Sequence, residues 1–275
     1  MGIPHFRNGN INYFELYLPV NRQEIYIFTV FKIKIIEMKT ILYKAGTRGH
    51  AYHGWLDSHH TFSFADYYDA GRVHFGALRV LNDDTVLGGK GFGTHPHDNM
   101  EIITIPLKGG VKHGDNIGNS GVIKEGDVQV MSAGTGIRHS EYNASEDAPV
   151  NFFQIWVFPN QKEVTPRYEQ KQMNFLAHKN TLSEIITPQP SDHALWIYQN
   201  AWFNIGAFDE NASVSYEVKD KNNGVFAMVI QGKFDISGIE VGKRDGLGLW
   251  ETGSILLKSL SDDARILLID VPMIW

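Results

Sequence analysis

The chain of 275 residues contains no cysteine. This absence excludes disulfide bonds, thiolate catalysis, cysteine-ligated zinc and iron–sulfur clusters. Any bound metal ion must therefore be held by nitrogen and oxygen ligands. The absence also fits a reducing compartment, and we expect a cytoplasmic protein.

Basic residues are few as well, with 25 Lys and Arg against 31 Asp and Glu, for a formal net charge of −6. This balance leaves no large basic surface for phosphates, so we predict no direct nucleic-acid partner. The apolar run at residues 25–31 is interrupted by Lys32 and Lys34. A bilayer span needs about 20 nearly uncharged residues, so we predict no membrane segment.

What the sequence does have is a composition that can fold, with 43% hydrophobic and 12% aromatic residues. Its length favours two modest domains. Residues 1–37 are interpreted as an N-terminal extension, because a strand-like run follows Met38. A polar, proline-containing stretch at 159–190 separates two sets of strand-like runs. We therefore predict an N-terminal domain at residues 38–165 and a C-terminal domain at residues 166–275.

Short apolar or alternating runs dominate both predicted domains, and clusters of Gly, Asn and Asp, such as residues 82–84, separate them. This pattern is typical of an all-β sandwich or barrel. The predicted strands lie at 75–81, 100–107, 128–131, 152–158, 195–198, 203–208, 214–218, 224–230, 246–250, 254–260 and 264–271.

The twelve histidines are unevenly distributed. Ten of them lie between His5 and His139, and residues 194–275 contain none. We therefore expect histidine chemistry in the first predicted domain. We expect the second domain to be of similar shape and chemically silent.

Two pairs of candidate ligands stand out. Side chains alternate faces along a strand, so His95 and His97 point the same way about 7 Å apart, close enough to share one ion. His139 and Glu141 form a second pair with the same spacing, just after a glycine turn. These four side chains predict one metal site. Glu101 has the strand parity of His95 and His97, so parity alone does not decide which glutamate is the ligand.

The sequence resembles two families at these positions. One segment resembles the first metal motif of the cupin superfamily, with Gly89, His95, His97, Glu101 and Gly109. A later segment resembles the second motif, with Gly126, Ser132, Ala133, Gly134 and His139. The second motif departs from the cupin pattern, with Ser132 in place of the usual proline and with Glu141 after His139. With these departures, the sequence resembles the pirin family, in particular bacterial pirin-like quercetin 2,3-dioxygenases. The resemblance also rests on segments 48–50, 55–58, 60–64, 134–143 and 166–170.

The resemblance implies an all-β bicupin, with two double-stranded β-helix (jelly-roll-like) β-barrel domains, of which only the N-terminal one carries metal. The pirin ligand set maps onto His95, His97, His139 and Glu141. Glu101, a ligand in most cupins, then becomes a buried neighbour of the site that orients an imidazole, or the alternative ligand. We expect one divalent transition metal ion per chain, with Fe(II) preferred and Zn, Mn, Ni, Co or Cu also compatible with these donors.

The resemblance further implies a metal-dependent dioxygenase that cleaves a flavonol such as quercetin with O2 and releases CO. Glu141 is the expected base for the 3-hydroxyl proton, with Glu101 as the alternative. The aromatic side chains expected at the mouth of the substrate pocket are Phe62, Phe64, Phe92 and Trp156, although each would serve equally in a barrel core. A monomer is favoured.

An alternative function belongs to a different class. Eukaryotic pirins are regarded as metal-binding cofactors of transcription-factor assemblies, so the chain would then be a redox-sensing interaction protein without turnover. The acidic balance indicates that such a role uses protein partners. Turnover of flavonols under oxygen distinguishes the two functions.

Overall fold

The computed structural model describes residues 38–173 and 175–274, together with the backbone of two strands near the N-terminus. The chain divides into two compact units, Met1–Lys39 and Thr40–Trp275. In the first unit, β1 (Asn12–Arg22) and β2 (Ile25–Ile35) form an antiparallel pair. The rest of the predicted extension, up to residue 37, lies outside the described residues.

The second unit is built almost wholly of strands, so the all-β prediction is confirmed. The strands of its first half are β3 (Lys39–Tyr43), β4 (Gly49–Tyr52), β5 (Leu56–His60), β6 (Leu78–Val86), β7 (Gly91–His97), β8 (Glu101–Lys108), β9 (Gly110–Asp115), β10 (Ser120–Lys124), β11 (Asp127–Ser132), β12 (Ile137–Asn143), β13 (Val150–Val157) and β14 (Arg167–Gln172). Those of its second half are β15 (Ser183–Thr187), β16 (Leu195–Trp196), β17 (Trp202–Phe208), β18 (Ser213–Glu217), β19 (Asn223–Gln231), β20 (Lys233–Ile236), β21 (Ile239–Gly242), β22 (Gly246–Trp250), β23 (Ser254–Ser259) and β24 (Ala264–Pro272). Two short 3₁₀ helices, Ala45–Thr47 and Phe175–Ala177, complete the described elements.

Each half consists of a seven-stranded and a four-stranded sheet. The first half has the orders β14-β11-β8-β13-β6-β5-β4 and β10-β9-β12-β7, and the second has β16-β15-β17-β24-β19-β22-β3 and β18-β23-β20-β21. The expected barrels are therefore jelly-roll sandwiches rather than closed cylinders. No helix in the described part of the chain is long and apolar enough to cross a bilayer.

Two strands belong to the sheet of the other half of the sequence. The early strand β3 joins the sheet of the second half, next to β22. The later strand β14 pairs with β11 of the first half over six residues. Sheet membership therefore differs from the predicted boundary at residues 165 and 166. Strand pairing is a tertiary contact that local sequence patterns do not report.

The largest apolar cluster joins the two seven-stranded sheets. Among its members are Phe62, Ile103 and Phe153 of the first half and Phe226 and Ile269 of the second, and these five are less than 1% exposed. Since both large sheets turn an apolar face to this cluster, their opposite faces remain for the interiors of the two sandwiches. The candidate site lies in one of these interiors.

Candidate metal centre

The three histidines of the predicted site come together on the neighbouring strands β7 and β12. His139 is the direct antiparallel partner of His95, and Ile137 is the partner of His97. Strand alternation places His95 and His97 on one face of β7. Strand β12 follows a tight turn in which Gly134 has φ +49°, and a Cβ at Gly134 would lie 1.9 Å from the carbonyl oxygen of Val164. The glycine turn is therefore required to start β12 in register with β7.

The geometry of the three imidazoles fits a metal ion. One ring nitrogen from each of His95, His97 and His139 lies within 4.8 Å of the others. The Nε2 atoms of His97 and His139 are 3.1 Å apart. Two nitrogen ligands about 2.1 Å from one ion and at right angles are about 3.0 Å apart. The Nδ1 of His95 lies 2.8 Å from the carbonyl oxygen of Gly93, to which it donates, so that its Nε2 keeps a lone pair.

Burial keeps two of these rings neutral. It lowers the pKa of His97 to about 4, and the neighbouring His95 adds to the effect. It lowers the pKa of His139 to about 2, with smaller contributions from His95, His97 and His113. A neutral imidazole is the form that binds a metal ion, so the site needs no deprotonation of these two rings at neutral pH.

Glu141 lies on the same strand but in a different setting. A β-bulge between His139 and Glu141 interrupts the pairing with β7. The buried carboxylate accepts hydrogen bonds from Thr104 Oγ1 at 2.9 Å and from Gln154 Nε2 at 2.7 Å. Burial raises its pKa to about 7, although both hydrogen bonds oppose this. Glu141 lies outside the group of three histidines whose donor atoms are within 4.8 Å of one another. It lines a cavity that His95 and His97 also line.

Glu101 lies away from the three histidines, which corrects the parity argument. Strand β7 ends at His97, and a turn with Asn99 at φ +43° precedes β8, which starts at Glu101 in the other sheet. Parity does not carry across this break. The buried carboxylate of Glu101 accepts a hydrogen bond from Ser132 Oγ at 2.7 Å. Burial raises its pKa to about 7. Three smaller influences lower this pKa: the hydrogen bond from Ser132, a hydrogen bond from the backbone of Tyr198, and the charge of Arg167.

A cavity of about 220 Å³ opens beside the histidines. Three of the four predicted aromatic side chains line it: Phe64, Phe92 and Trp156. Trp156 makes T-shaped contacts with both His97 and Phe64, with ring centroids 5.0 and 5.3 Å apart. The prediction fails for Phe62. This side chain is fully buried in the core between the two large sheets, where it packs on Tyr43 and Phe226.

Sequence reasoning missed a polar wall of the cavity. It consists of Ser58, His60, Asn82 and Asp84, all at most 4% exposed. His60 Nδ1 lies 2.9 Å from Asn82 Oδ1, and Ser58 Oγ donates to Asp84. Residues 82–84 were expected to form a turn, yet they belong to β6 and pair with β5 and β13. The available signal was the match of polar residues on two adjacent strands, which becomes visible only once the strands are paired.

A second group of possible ligands lies on the outer face of the β4–β5 hairpin. His50 Nε2 is 2.8 Å from Asp57 Oδ1, and the ring of His50 stacks on that of His59. Burial lowers the pKa of His59, and the positive charge of Arg48 lowers it further. The same charge opposes a metal cation at this group. The His50–Asp57 hydrogen bond and the ring stacking account for this group.

Comparisons with known proteins agree with this fold. The Pirin family model matches residues 43–157, and a model described as Quercetinase C-terminal cupin domain matches residues 184–271. The chain is 42% identical over 231 residues to a quercetin 2,3-dioxygenase of Escherichia coli, covering 84% of this chain and 98% of the relative. It is 37% identical to a pirin-like protein of Caulobacter vibrioides, covering 81% and 95%.

A solved structure shares the fold. The crystal structure of the bacterial pirin YhhW from Escherichia coli in complex with nickel(II) superposes with a TM-score of 0.80 at 41% identity, covering 85% of this chain and 99% of that chain. Sequence and structure relatives thus agree over nearly the whole length of the relatives. The chain belongs to the pirin family.

Proposed function

We propose that the protein is a metal-dependent dioxygenase that opens the heterocyclic ring of a flavonol such as quercetin with O2 and releases CO. The observation that carries this proposal is the group of three histidines beside an aromatic-lined cavity that also contains a buried carboxylate. The 42% identical quercetin 2,3-dioxygenase of Escherichia coli supports the same reaction.

We assign the metal to His95, His97 and His139, with Glu141 as the carboxylate of the site and its fourth ligand. The 3.1 Å separation of two Nε2 atoms and the buried, neutral state of two rings support this assignment. A bound divalent ion supplies positive charge and open coordination positions for a substrate oxygen and O2. The donor set fits Fe(II), our preferred ion, and also Ni(II), which the related YhhW structure contains.

Glu141 is the proposed acceptor of the flavonol 3-hydroxyl proton. A general base must lie within hydrogen-bond reach of the proton that it accepts, and Glu141 is a buried carboxylate that lines the cavity. Thr104 and Gln154 hold its two oxygens and so fix the direction in which it accepts a proton.

The cavity binds the substrate only in part. Its volume of about 220 Å³ is below the roughly 300–1,000 Å³ of pockets that enclose a whole drug-sized ligand. We propose that the heterocyclic ring, which bears the 3-hydroxyl and the 4-ketone, enters the cavity, with Phe64, Phe92 and Trp156 packing against it. The remainder of the flavonol then stays at the mouth.

The test is aerobic turnover. Protein loaded with Fe(II) or Ni(II) without oxygen is mixed with quercetin and O2, and substrate loss and CO release are measured. We expect turnover and about one bound ion per chain. His97→Ala should lose most of the metal and the turnover and still fold, whereas the exposed His178→Ala should retain both.

Two results would contradict the proposal. Fully metal-loaded protein without turnover of any flavonol would favour the redox-sensing interaction role. Full metal occupancy in His97→Ala, measured by elemental analysis, would overturn the ligand assignment.

A further inference from the structure

A fourth histidine lies against the proposed metal centre. His113, on β9, is 2% exposed, and β9 is the other neighbour of β12. Its antiparallel partner is Glu141, and the partner of His139 is Asp115. The rings of His113 and His139 have centroids 5.4 Å apart. Two strands therefore bring His113 and Asp115 directly beside the metal-facing residues.

The contacts of Asp115 define which nitrogen of His113 carries the proton. Asp115 accepts hydrogen bonds from the backbone N–H groups of Ile117 and Asn119 at 3.0 and 2.9 Å and from the Asn119 amide at 2.9 Å. A carboxylate held by three such donors is an acceptor only. His113 Nε2, 3.2 Å from Asp115 Oδ2, must therefore donate, which leaves a lone pair on Nδ1 of the neutral ring.

The contacts of His139 define the complementary state. Its Nε2 is the atom that faces His97 Nε2 and the metal position, so its proton must be on Nδ1. Both Nδ1 atoms, of His139 and of His113, are buried and have no hydrogen-bond partner in the described structure. The Nδ1–H of His139 is thus a donor without an acceptor, and the Nδ1 of His113 is an acceptor without a donor. Buried polar groups of this kind are rare unless they bond to one another or through a water.

We propose that His113 is a positioning residue for the metal ligand His139: its Nδ1 accepts the Nδ1–H of His139 through one bridging water. The resulting chain runs from Asp115 through His113 and His139 to the metal. This inference rests on the proposed function only in that His139 binds the ion. A hydrogen bond of this type fixes the tautomer and orientation of a ligating imidazole and makes it a better donor to the metal.

Two neighbouring features support this role. The ring of His113 stacks on Tyr168 of β14, with centroids 4.6 Å apart and an angle of 28° between planes, and this contact also fixes its orientation. His95 also has its Nδ1 fixed by an acceptor, the carbonyl oxygen of Gly93. His113 would provide for His139 what the backbone provides for His95.

The direct test is the protonation pattern of His139. In ¹⁵N-labelled, metal-free protein and in its zinc-loaded form, nitrogen chemical shifts distinguish a ring protonated at Nδ1 from one protonated at Nε2. We expect His139 to be protonated at Nδ1 in both forms and His113 at Nε2. A metal-free protein with His139 protonated at Nε2 would overturn the proposal, and this measurement needs no variant.

Variants give a second readout. His113→Phe keeps the stacking ring and removes the acceptor, and we expect the affinity for Ni(II) or Zn(II) to fall about 10–100-fold. Asp115→Asn should give a smaller loss in the same direction. Tyr168→Phe, which keeps the stack on His113, is the matched control and should bind metal as the unchanged protein does. Unchanged metal affinity in folded His113→Phe would also overturn the proposal. Failure of flavonol turnover alone, with these affinities and tautomers as expected, would count against the proposed function only.

Discussion

The two halves of the second unit have the same pairing of a seven-stranded with a four-stranded sheet but differ in how their buried polar groups are satisfied. In the second half, Asp270 is fully buried and accepts from Tyr216 Oη, the Lys219 backbone N–H and Asn223 Nδ2 at 2.9, 2.9 and 2.6 Å. In the first half, buried side-chain atoms without partners occur in Thr61, His113, Gln129, His139 and Trp156.

This difference teaches where chemistry is to be expected. A buried polar group that has all its hydrogen bonds stabilises one packed arrangement. Buried groups with spare bonding capacity lower stability and persist where a ligand or ion uses them. Of the atoms without partners in the second half, those described belong to Arg244 and Arg265. Two of the unpartnered atoms of the first half, in His139 and Trp156, belong to residues of the candidate site or its cavity.

Truncation should show the largest effect of this division. A chain of residues 38–165 lacks β14 and the whole second half, and exposes the apolar face of its large sheet. Each fully buried Phe or Ile contributes about 1.5–3 kcal/mol, and a domain has only about 5–15 kcal/mol in total. We expect insoluble or aggregated protein by size-exclusion chromatography, with residues 38–275 as the soluble control. A soluble 38–165 fragment that binds metal would show that the second half is dispensable.

The sequence predicted best the strands with a strong apolar pattern, because that signal is local. Strand β22 was predicted with its observed ends, and the runs at 203–208 and 264–271 differ from β17 and β24 by one residue at one end. The alternation of apolar and polar residues is visible within a single segment of the sequence. Membership of β3 and β14 in the sheets of the other half was not predictable in this way, because strand pairing joins residues far apart in sequence.

The site was predictable to the extent that it depends on spacing along one strand. The clustering of His95, His97 and His139 follows from strand alternation and from the pairing of β7 with β12. The position of Glu101 did not follow, because Asn99 turns the chain into another sheet. Ser132, noted as a departure from the cupin pattern, donates to Glu101 and so explains part of that difference.

The two buried glutamates sharpen the comparison at the level of single residues. Glu141→Gln should lower metal affinity about 10–100-fold and turnover by about 10²-fold or more, because it removes the proposed ligand and base. Glu101→Gln should leave metal binding nearly unchanged and lower the melting temperature by a few degrees, since Glu101 bonds Ser132 away from the histidines. Metal titration and thermal unfolding measure the two effects. The reverse ranking for metal binding would make Glu101 the carboxylate of the site.

The smallest expected effect concerns Asp84, on the polar wall of the cavity. Burial raises its pKa to about 7, with further contributions from Asp83 and Glu141 and against the hydrogen bond from Ser58. An unfolded Asp has a pKa of about 3.9, so the folded protein holds the proton more tightly between these values. The stability associated with this proton is complete below about pH 4 and is lost as the pH rises through about 7.

Asp84→Asn removes this titration and keeps the shape of the side chain. The quantity to compare is the melting temperature of the metal-free variant minus that of the metal-free unchanged protein. We expect this difference to be about 5 °C larger at pH 8 than at pH 5, since about 1 kcal/mol shifts the melting temperature of a protein of this size by about 2–4 °C. Asp66→Asn, at an exposed position, is the matched control and should show the same difference at both pH values. A pH-independent difference for Asp84→Asn would mean that Asp84 is ionised in the folded protein, and the wall of the cavity would then carry a negative charge at neutral pH.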